Sequence, residues 1–172
     1  GEHAARYVFR HALMQDAAYN SVLIRRRAQM HARVAQLLST EWASQGALQP
    51  ALVAHHYTEA GLMPQAITYW QRAGLQAVES SANQEAIQHL SKALGILETL
   101  PQCRDRDQQE LALLLALSVP LAVTSSWAAP EVQRASERAL ELSEALGDSN
   151  QVFQVMYGVW SNRQVQAEYG AA

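Results

Sequence analysis

The chain has 172 residues, of which 49% are hydrophobic and 7% aromatic, and its formal net charge is −3. Its one cysteine, Cys103, excludes an intrachain disulfide and a thiolate cluster for a metal. The most apolar stretch, 111–123, is too short to cross a bilayer. These features exclude disulfide-rich and membrane-spanning classes and indicate a cytoplasmic protein that builds its core from packing alone.

The first 42 residues differ in charge from the rest of the chain. They hold six arginines and three acidic residues, a net charge of +3, whereas residues 43–172 carry a net charge of −6. Within them, the alternating tetrapeptide 7–10 (YVFR) is the one plausible strand, and it is too short to stand without a partner sheet. Because the sequence opens on Gly1 rather than Met, we expect the chain to be excised from a longer polypeptide.

Apolar residues recur at three- and four-residue steps from residue 16 onward, a pattern typical of amphipathic helices. In the run that ends at Trp42, Met30, Val34 and Leu37 form part of the expected apolar face. A leucine-rich segment after a polar linker at 102–107 is apolar nearly all round, so we expect it to lie between two neighbours. The predicted helices are two runs that meet near Ile24 and end at Trp42, then 51–60, 64–79, 83–100, the leucine-rich segment, 131–146 and 151–166.

Small and large residues recur at fixed offsets in these helices. The spacing small-x₃-large-x₂-small places three residues on one helical face, where the small residues let two helices approach closely and the large one fills the gap between hairpins. Stacked hairpins can thereby bury a core that no single hairpin can bury. The sets are Ala66, Trp70 and Ala73, then Ala86, Leu90 and Ala93, and in weaker form Ala135, Ala139 and Leu142.

Residues between 53 and 73 combine a large-small pair, an aromatic residue, a turn glycine and a small-aromatic-small set. They are Val53-Ala54, Tyr57, Gly61, Ala66, Trp70 and Ala73. With this pattern the chain resembles the tetratricopeptide repeat family, which implies an all-α fold of stacked antiparallel helical hairpins in a right-handed superhelix. The corresponding residues Ala66, Ala86 and Ala135 lie 20 and 49 residues apart, against about 34 in the family, so we expect an irregular superhelix.

A second set of residues extends from the start of the chain to Ala86. It comprises 7–13 (YVFRHAL), 17–19 (AAY), Arg27, His31, 54–57 (AHHY), Ala66, Tyr69-Trp70, Ala73-Gly74, Ala77 and Glu85-Ala86. In this string the chain looks like the junction of large multidomain signalling ATPases, in which a nucleotide-binding domain and a small winged-helix-like domain lead into a helical-repeat sensor region. Many of those proteins resemble adenylate or guanylate cyclase fusions, and others resemble transcriptional regulators. The resemblance implies that 1–42 is the tail of the winged-helix-like domain with a connecting helix, and that 43–172 is a TPR-like array truncated at its C terminus.

Motifs for nucleotide chemistry are missing from the sequence. The phosphate-binding loop needs a lysine followed by Ser or Thr, but the only lysine, Lys92, precedes Ala93 within a predicted helix. A cyclase needs two converging carboxylates for metal ions, and the pair Asp105 and Asp107 lies in the polar linker, where we expect solvated side chains. We therefore predict a chain that is not itself an enzyme and needs no cofactor, with any ATPase or cyclase activity elsewhere in the parent protein.

Histidine and arginine clusters leave two alternatives open. His55 and Glu59 are one helical turn apart, which suggests a zinc site, but without a third ligand nearby one packed and one exposed histidine at 55 and 56 is favoured. Arg25, Arg26 and Arg27 could contact nucleic-acid phosphates or an attached nucleotide-binding domain, whereas a solvated helix face is the favoured interpretation. Neither cluster is therefore predicted to be a metal or catalytic site.

Three tryptophans, Trp70, Trp127 and Trp160, are candidates for lining a ligand groove. Trp127 lies in a proline-flanked loop and is expected to be the most exposed, whereas core packing is favoured for the other two.

The leading hypothesis is a non-catalytic sensor or interaction region of a signal-transduction ATPase, with a protein or peptide in the concave groove and the parent's other domains as partners. The alternative is a DNA-binding regulator fragment that uses the basic first 42 residues, although nucleic acid is not the favoured partner. A homodimer through surface left bare by truncation is also open.

Overall fold

The computed structural model of the chain describes residues 19, 23–40, 49–126 and 129–147. This part of the chain is all-helical, which confirms the predicted all-α class. None of its helices is both long and apolar enough to cross a membrane. The predicted strand at 7–10, the helix at 151–166, Trp127 and Trp160 lie outside the described residues. The helices are α1 (Ile24–Thr40), α2 (Pro50–Glu59), α3 (Met63–Glu79), α4 (Asn83–Glu98), α5 (Arg104–Thr124) and α6 (Pro130–Leu146).

Consecutive helices pack against each other from α1 to α6, and α3 also touches α5. The turns between α2, α3 and α4 are three residues long, so these helices run antiparallel. Gly61 lies in the turn after α2 with φ +74°, and the N–H of Leu62 donates to the carbonyl of Tyr57. The next turn has the same form, with Ser81 at φ 59° and the N–H of Ala82 donating to the carbonyl of Ala77.

The first residues of α5 differ from the sequence-based prediction. The polar linker expected at 102–107 is only partly present, because α5 already begins at Arg104. Asp105 and Asp107 therefore lie in the first turn of a helix, where carboxylates are stabilised by the unpaired N–H groups and the helix dipole. Arg106 joins this turn to α4 because its Nε donates to the carbonyl of Leu97 at 3.2 Å. The charged residues that suggested a loop are thus helix-starting residues.

Two clusters of buried side chains form the core of the described helices, and α5 belongs to both. Its Leu113 and Leu117 pack in the larger cluster with α2, α3 and α4, and its Leu111 and Leu114 pack against α6. The prediction that the leucine-rich segment lies between two neighbours is confirmed. The larger cluster comprises Ala54, Ala66, Ile67, Trp70, Ala73, Leu90, Ala93, Leu97, Leu113 and Leu117.

Helix α1 packs on α2, but the residues that it buries match its predicted apolar face only in part. Ala35, which is not on that face, is fully buried. Met30, Val34 and Leu37 are instead 57%, 38% and 44% exposed. Leu38, which belongs to the same predicted face, is half-buried, and Trp42 lies outside the described residues. The periodicity therefore predicts the helix correctly and its buried face only in part.

Candidate interaction groove

An open cavity of about 390 Å³ lies between α2 and α4, with α3 beneath it. Both outer helices pack on α3, and the antiparallel turns place them side by side over its surface. The cavity has residues of all three helices in its lining, and we call it the groove. The lining residues are His55, Thr58, Met63, Trp70, Lys92, Gly95, Ile96 and Thr99.

Trp70 lies at the base of the groove and is only 6% exposed. Its Nε1–H donates to Oγ1 of Thr58 at 3.0 Å, and the Thr58 hydroxyl donates in turn to the carbonyl of Ala54 at 2.9 Å. The polar atom of the indole is therefore satisfied within the fold. What the indole offers to the groove is apolar surface.

Two residues of α4, one helical turn apart, contact the Trp70 indole. The Lys92 Nζ lies 4.4 Å from the ring centroid, which is a cation–π geometry. The His89 ring stacks on the indole, with centroids 5.3 Å apart and an interplanar angle of 28°. Burial, and to a lesser extent the nearby Lys92 charge, lower the pKa of His89. The buried Nδ1 of His89 has no hydrogen-bond partner among the described residues, so the site favours the neutral imidazole.

A second recess, of about 370 Å³, lies at the opposite end of the same three helices. It is lined by the start of α2, the end of α3 and the first half of α4, and His89 lies at its border. Its lining is more polar than that of the groove and includes Gln76, Ser80 and Glu85. The space between α2 and α4 therefore changes from apolar beside Lys92 to polar beside Glu85.

The residues singled out by the repeat spacing lie mainly in the larger core cluster. In the first two sets and the large-small pair the small members are at most 4% exposed, and Leu90 is fully buried, whereas Ala135 of the third, weaker set is half-buried. Tyr57 is half-buried, and its ring is tilted against that of Tyr69 with centroids 5.4 Å apart, while Gly61 occupies the turn after α2. The small members are Ala54, Ala66, Ala73, Ala86 and Ala93.

The three consecutive arginines do not form one surface. Arg25 and Arg26 are exposed, whereas Arg27 is half-buried, and its guanidinium carbon lies 4.8 Å from the ring centroid of Tyr19. Of the two adjacent histidines, His55 is exposed and His56 is half-buried. Within 19, 23–40, 49–126 and 129–147, no group of three or more His, Cys, Asp or Glu side chains could hold a metal ion.

Sequence reasoning missed the contacts that join helices distant in the chain. Glu110 of α5 binds Arg138 of α6 through two hydrogen bonds, of 2.7 and 3.3 Å, and His31 of α1 binds His56 of α2. The i,i+3 spacing of His89 and Lys92 was a usable signal, since it places both on one face of α4. That this face meets Trp70 depends on the packing of α3 against α4, which no local pattern specifies.

The chain is similar to an uncharacterized protein of Rhizobium meliloti (strain 1021), with 28% identity over 160 residues. The aligned region covers 92% of this chain but 16% of that relative, so the chain corresponds to a small part of a much longer protein. No family model and no solved structure matches the chain.

Proposed function

We propose that the chain is a non-catalytic interaction region that holds a peptide segment of a partner protein in the groove between α2 and α4. The observation that carries this proposal is the Trp70 indole, whose N–H is satisfied by Thr58 while its ring borders an open cavity. Such a surface suits an apolar side chain, because binding leaves no polar atom of the indole unpaired. In this proposal the helices are TPR-like hairpins that stack in a right-handed superhelix, and the groove is part of its concave side.

The charge of the groove indicates the chemistry of its occupant. Its lining contains Lys92 and His55 and, among the described residues, no carboxylate. An apolar floor beside a lysine complements a peptide in which a large apolar side chain lies next to an acidic one. We therefore commit to an acidic peptide segment with an apolar anchor.

The parent, in this proposal, is a cytoplasmic signal-transduction ATPase whose output is a nucleotide cyclase or a transcriptional regulator. The residue string between 7 and 86 supports this, as does the occurrence of a similar stretch within a much longer relative. Sequencing the parent reading frame tests it. A phosphate-binding loop some hundreds of residues upstream is the expected result, and a reading frame without a nucleotide-binding domain would contradict it.

Gly95 permits a sharp test of the groove. An added Cβ at Gly95 meets no atom within 4 Å, so Gly95→Gln fills the groove with a neutral side chain without disturbing the core. Gly95→Ala is the matched control, since it makes the same backbone change and leaves most of the volume open. A phage-displayed library of random peptides is selected on the 172-residue chain, and the affinities of synthetic versions are measured for both variants.

The expected outcome is a set of acidic peptides with an apolar anchor that bind the wild type and Gly95→Ala and lose at least about tenfold in affinity for Gly95→Gln. Lys92→Gln should weaken the same peptides and reduce the salt dependence of their binding, because a charged contact is removed. Peptides that bind Gly95→Gln as tightly as the wild type would show that the groove is not the binding site. Selected peptides with a basic rather than an acidic character would contradict the proposed occupant.

A further inference from the structure

Three histidine rings meet where α1 packs on α2. Nδ1 of His31 lies 2.8 Å from Nδ1 of His56, a hydrogen bond between two imidazoles from different helices. The His55 ring completes the cluster, with its centroid 6.1 Å from that of His31 and 5.5 Å from that of His56. At the other side of His31, the hydroxyl of Tyr19 lies 3.1 Å from Nε2. Both nitrogens of the His31 ring are therefore engaged.

The proton count determines whether this contact can exist. In the neutral pair one Nδ1 carries a hydrogen and donates it to the bare Nδ1 of the other ring, and Tyr19 can serve as donor or acceptor to match either tautomer. One added proton can be accommodated, because a protonated His31 still donates through Nδ1 to a neutral His56. A second proton cannot, since both Nδ1 atoms then carry hydrogens and both rings carry charge.

The surroundings of His56 oppose its protonation. Burial, then the neighbouring His31 and His55, lower the pKa of His56, and Glu59 on the same helix opposes this effect. From the α1 side, Arg27 adds a positive charge close to Tyr19. On the α3 side, Tyr69 lies against Tyr57 and Arg72 lies over the Tyr69 ring. Glu59 is thus the carboxylate that faces the cluster from these elements.

We infer that the His31–His56 contact is a proton-sensitive clasp, which holds α1 on α2 near neutral pH and releases it when both imidazoles are protonated. Because burial and the neighbouring imidazoles lower the pKa of His56, release occurs below the ordinary pKa of histidine. What the His31–His56 pair binds is a proton, on its Nδ1 atoms. The clasp joins α1, which carries Arg25, Arg26, Arg27 and Arg33, to α2, so its opening loosens this basic helix from α2.

The clasp is also connected to the groove. His55, which lines the groove, is adjacent in sequence to His56 and contacts both rings of the pair. Protonation of His56 therefore adds positive charge beside one wall of the groove and loosens α1 at the same time. The inference about α1 stands on the histidine geometry alone and does not require that the groove bind a peptide.

Amide hydrogen exchange of the 172-residue chain tests the inference. Exchange of peptides from α1 is followed at pH 7.5 and 5.0, normalised to the unfolded chain at the same pH, with peptides from α6, which contains no histidine, as the internal reference. We expect the protection of α1 to fall at least about tenfold relative to α6 at the lower pH, which is the effect of one pKa unit of linkage. The double variant His31→Asn/His56→Asn keeps a neutral hydrogen-bonding amide in place of each Nδ1 and should lose this response. His89→Gln is the control that should keep it, because His89 lies on α4 against Trp70.

Two outcomes would overturn the inference. One is equal relative protection of α1 at both pH values in the wild type, and the other is a pH response that persists in the double variant. If the double variant leaves α1 unprotected at pH 7.5, the wild type is used instead. Nitrogen spectra of its imidazole rings then give the pH at which His56 is protonated, for comparison with the pH at which α1 is released. Release of α1 must then follow the titration of His56, and a release midpoint that differs from it by more than about one pH unit would refute the clasp.

Discussion

Gly74 of α3 lies directly against the side chain of Leu90 in α4. A Cβ added to Gly74 would be 2.5 Å from Cγ of Leu90 and 2.6 Å from its Cδ2. Leu90 is fully buried in the larger core cluster, so it has no space to move away. The absence of a side chain at Gly74 therefore sets how closely α3 and α4 approach.

The first prediction concerns this contact. Gly74→Ala gains about 1 kcal/mol of helix propensity but overpacks the Leu90 site, which costs about 1 to 3 kcal/mol. We expect the overpacking to dominate and the free energy of unfolding to fall, as measured by urea titration. The substitution should be neutral or stabilising in a Leu90→Ala background, and an equal loss in both backgrounds would argue against the contact.

The second prediction is that an alanine at Gly95 stabilises the fold, whereas one at Gly74 destabilises it. It lies in α4, and nothing is within 4 Å of a Cβ placed there. Gly95→Ala should therefore raise the free energy of unfolding by about 0.5 to 1 kcal/mol, because only the backbone entropy term remains. A destabilised Gly95→Ala variant, in the same urea titration, would mean that the groove is narrower than described.

A third prediction tests the polar support of the Trp70 indole. Thr58→Val keeps the shape of the side chain but leaves the Nε1–H of Trp70 without its acceptor, which costs about 1 to 3 kcal/mol. Thermal unfolding and tryptophan fluorescence would report the loss and a change in the indole environment. The matched control is Thr68→Val, because the exposed Thr68 hydroxyl donates to the carbonyl of Pro64 in its own helix and, within the described part of the chain, to no other group. Equal effects of the two substitutions would contradict a special role for Thr58.

The charged contact between α5 and α6 gives a fourth prediction. The Glu110 side chain is 12% exposed, and it accepts hydrogen bonds from Arg138 and, at 3.0 Å, from Arg106. Glu110→Gln removes the charge that serves both guanidinium groups, and we expect a loss of about 1 to 3 kcal/mol in urea unfolding. Glu141→Gln removes only an exposed partner of Arg138 and should cost at most about 1 kcal/mol. The contact would be unimportant if both variants matched the wild type.

The fifth prediction is a pH dependence of stability. The pKa values of His56 and His89 are both lowered from the ordinary 6.5 in the folded chain. The unfolded chain therefore binds these protons first as pH falls, so the stabilisation is present above pH 6.5 and is lost between 6.5 and the folded values. Urea midpoints should decrease between pH 7.5 and 5, and less steeply in His89→Gln. Parallel curves for that variant and the wild type would exclude a contribution from His89.

The sequence predicts where the helices lie in the chain better than it predicts which of their faces pack together. Breakers such as Pro50, Gly61 and Gly147 act locally, and the structure has them at helix boundaries. The acidic start of α5 was mistaken for a linker because Asp is common both in loops and in the first turn of helices. Local periodicity also identified the buried face of α1 only in part, since the fully buried residue of that helix is the small Ala35 and not one of its large apolar residues.

Much of the candidate site depends on distances that only the fold supplies. Trp70 was an evident candidate because of its size and position in the repeat spacing. Its satisfied N–H, the Lys92 contact and the histidine pair all require side chains from helices that are separated in sequence by turns of unknown geometry. The two histidines of the clasp are 25 residues apart, and neither has a local pattern that points to the other.

Helix α5 contributes leucines to both buried clusters, and Leu94 of α4 packs against each of them. The stability of one cluster is therefore coupled to that of the other. An array in which every hairpin had its own interior could melt from one end, unit by unit. Here, loss of α6 would uncover Leu111 and Leu114 on a helix that also supports the floor of the groove. We expect the chain from α2 to α6 to unfold as one cooperative unit, so that destabilising α6 also destabilises the groove between α2 and α4.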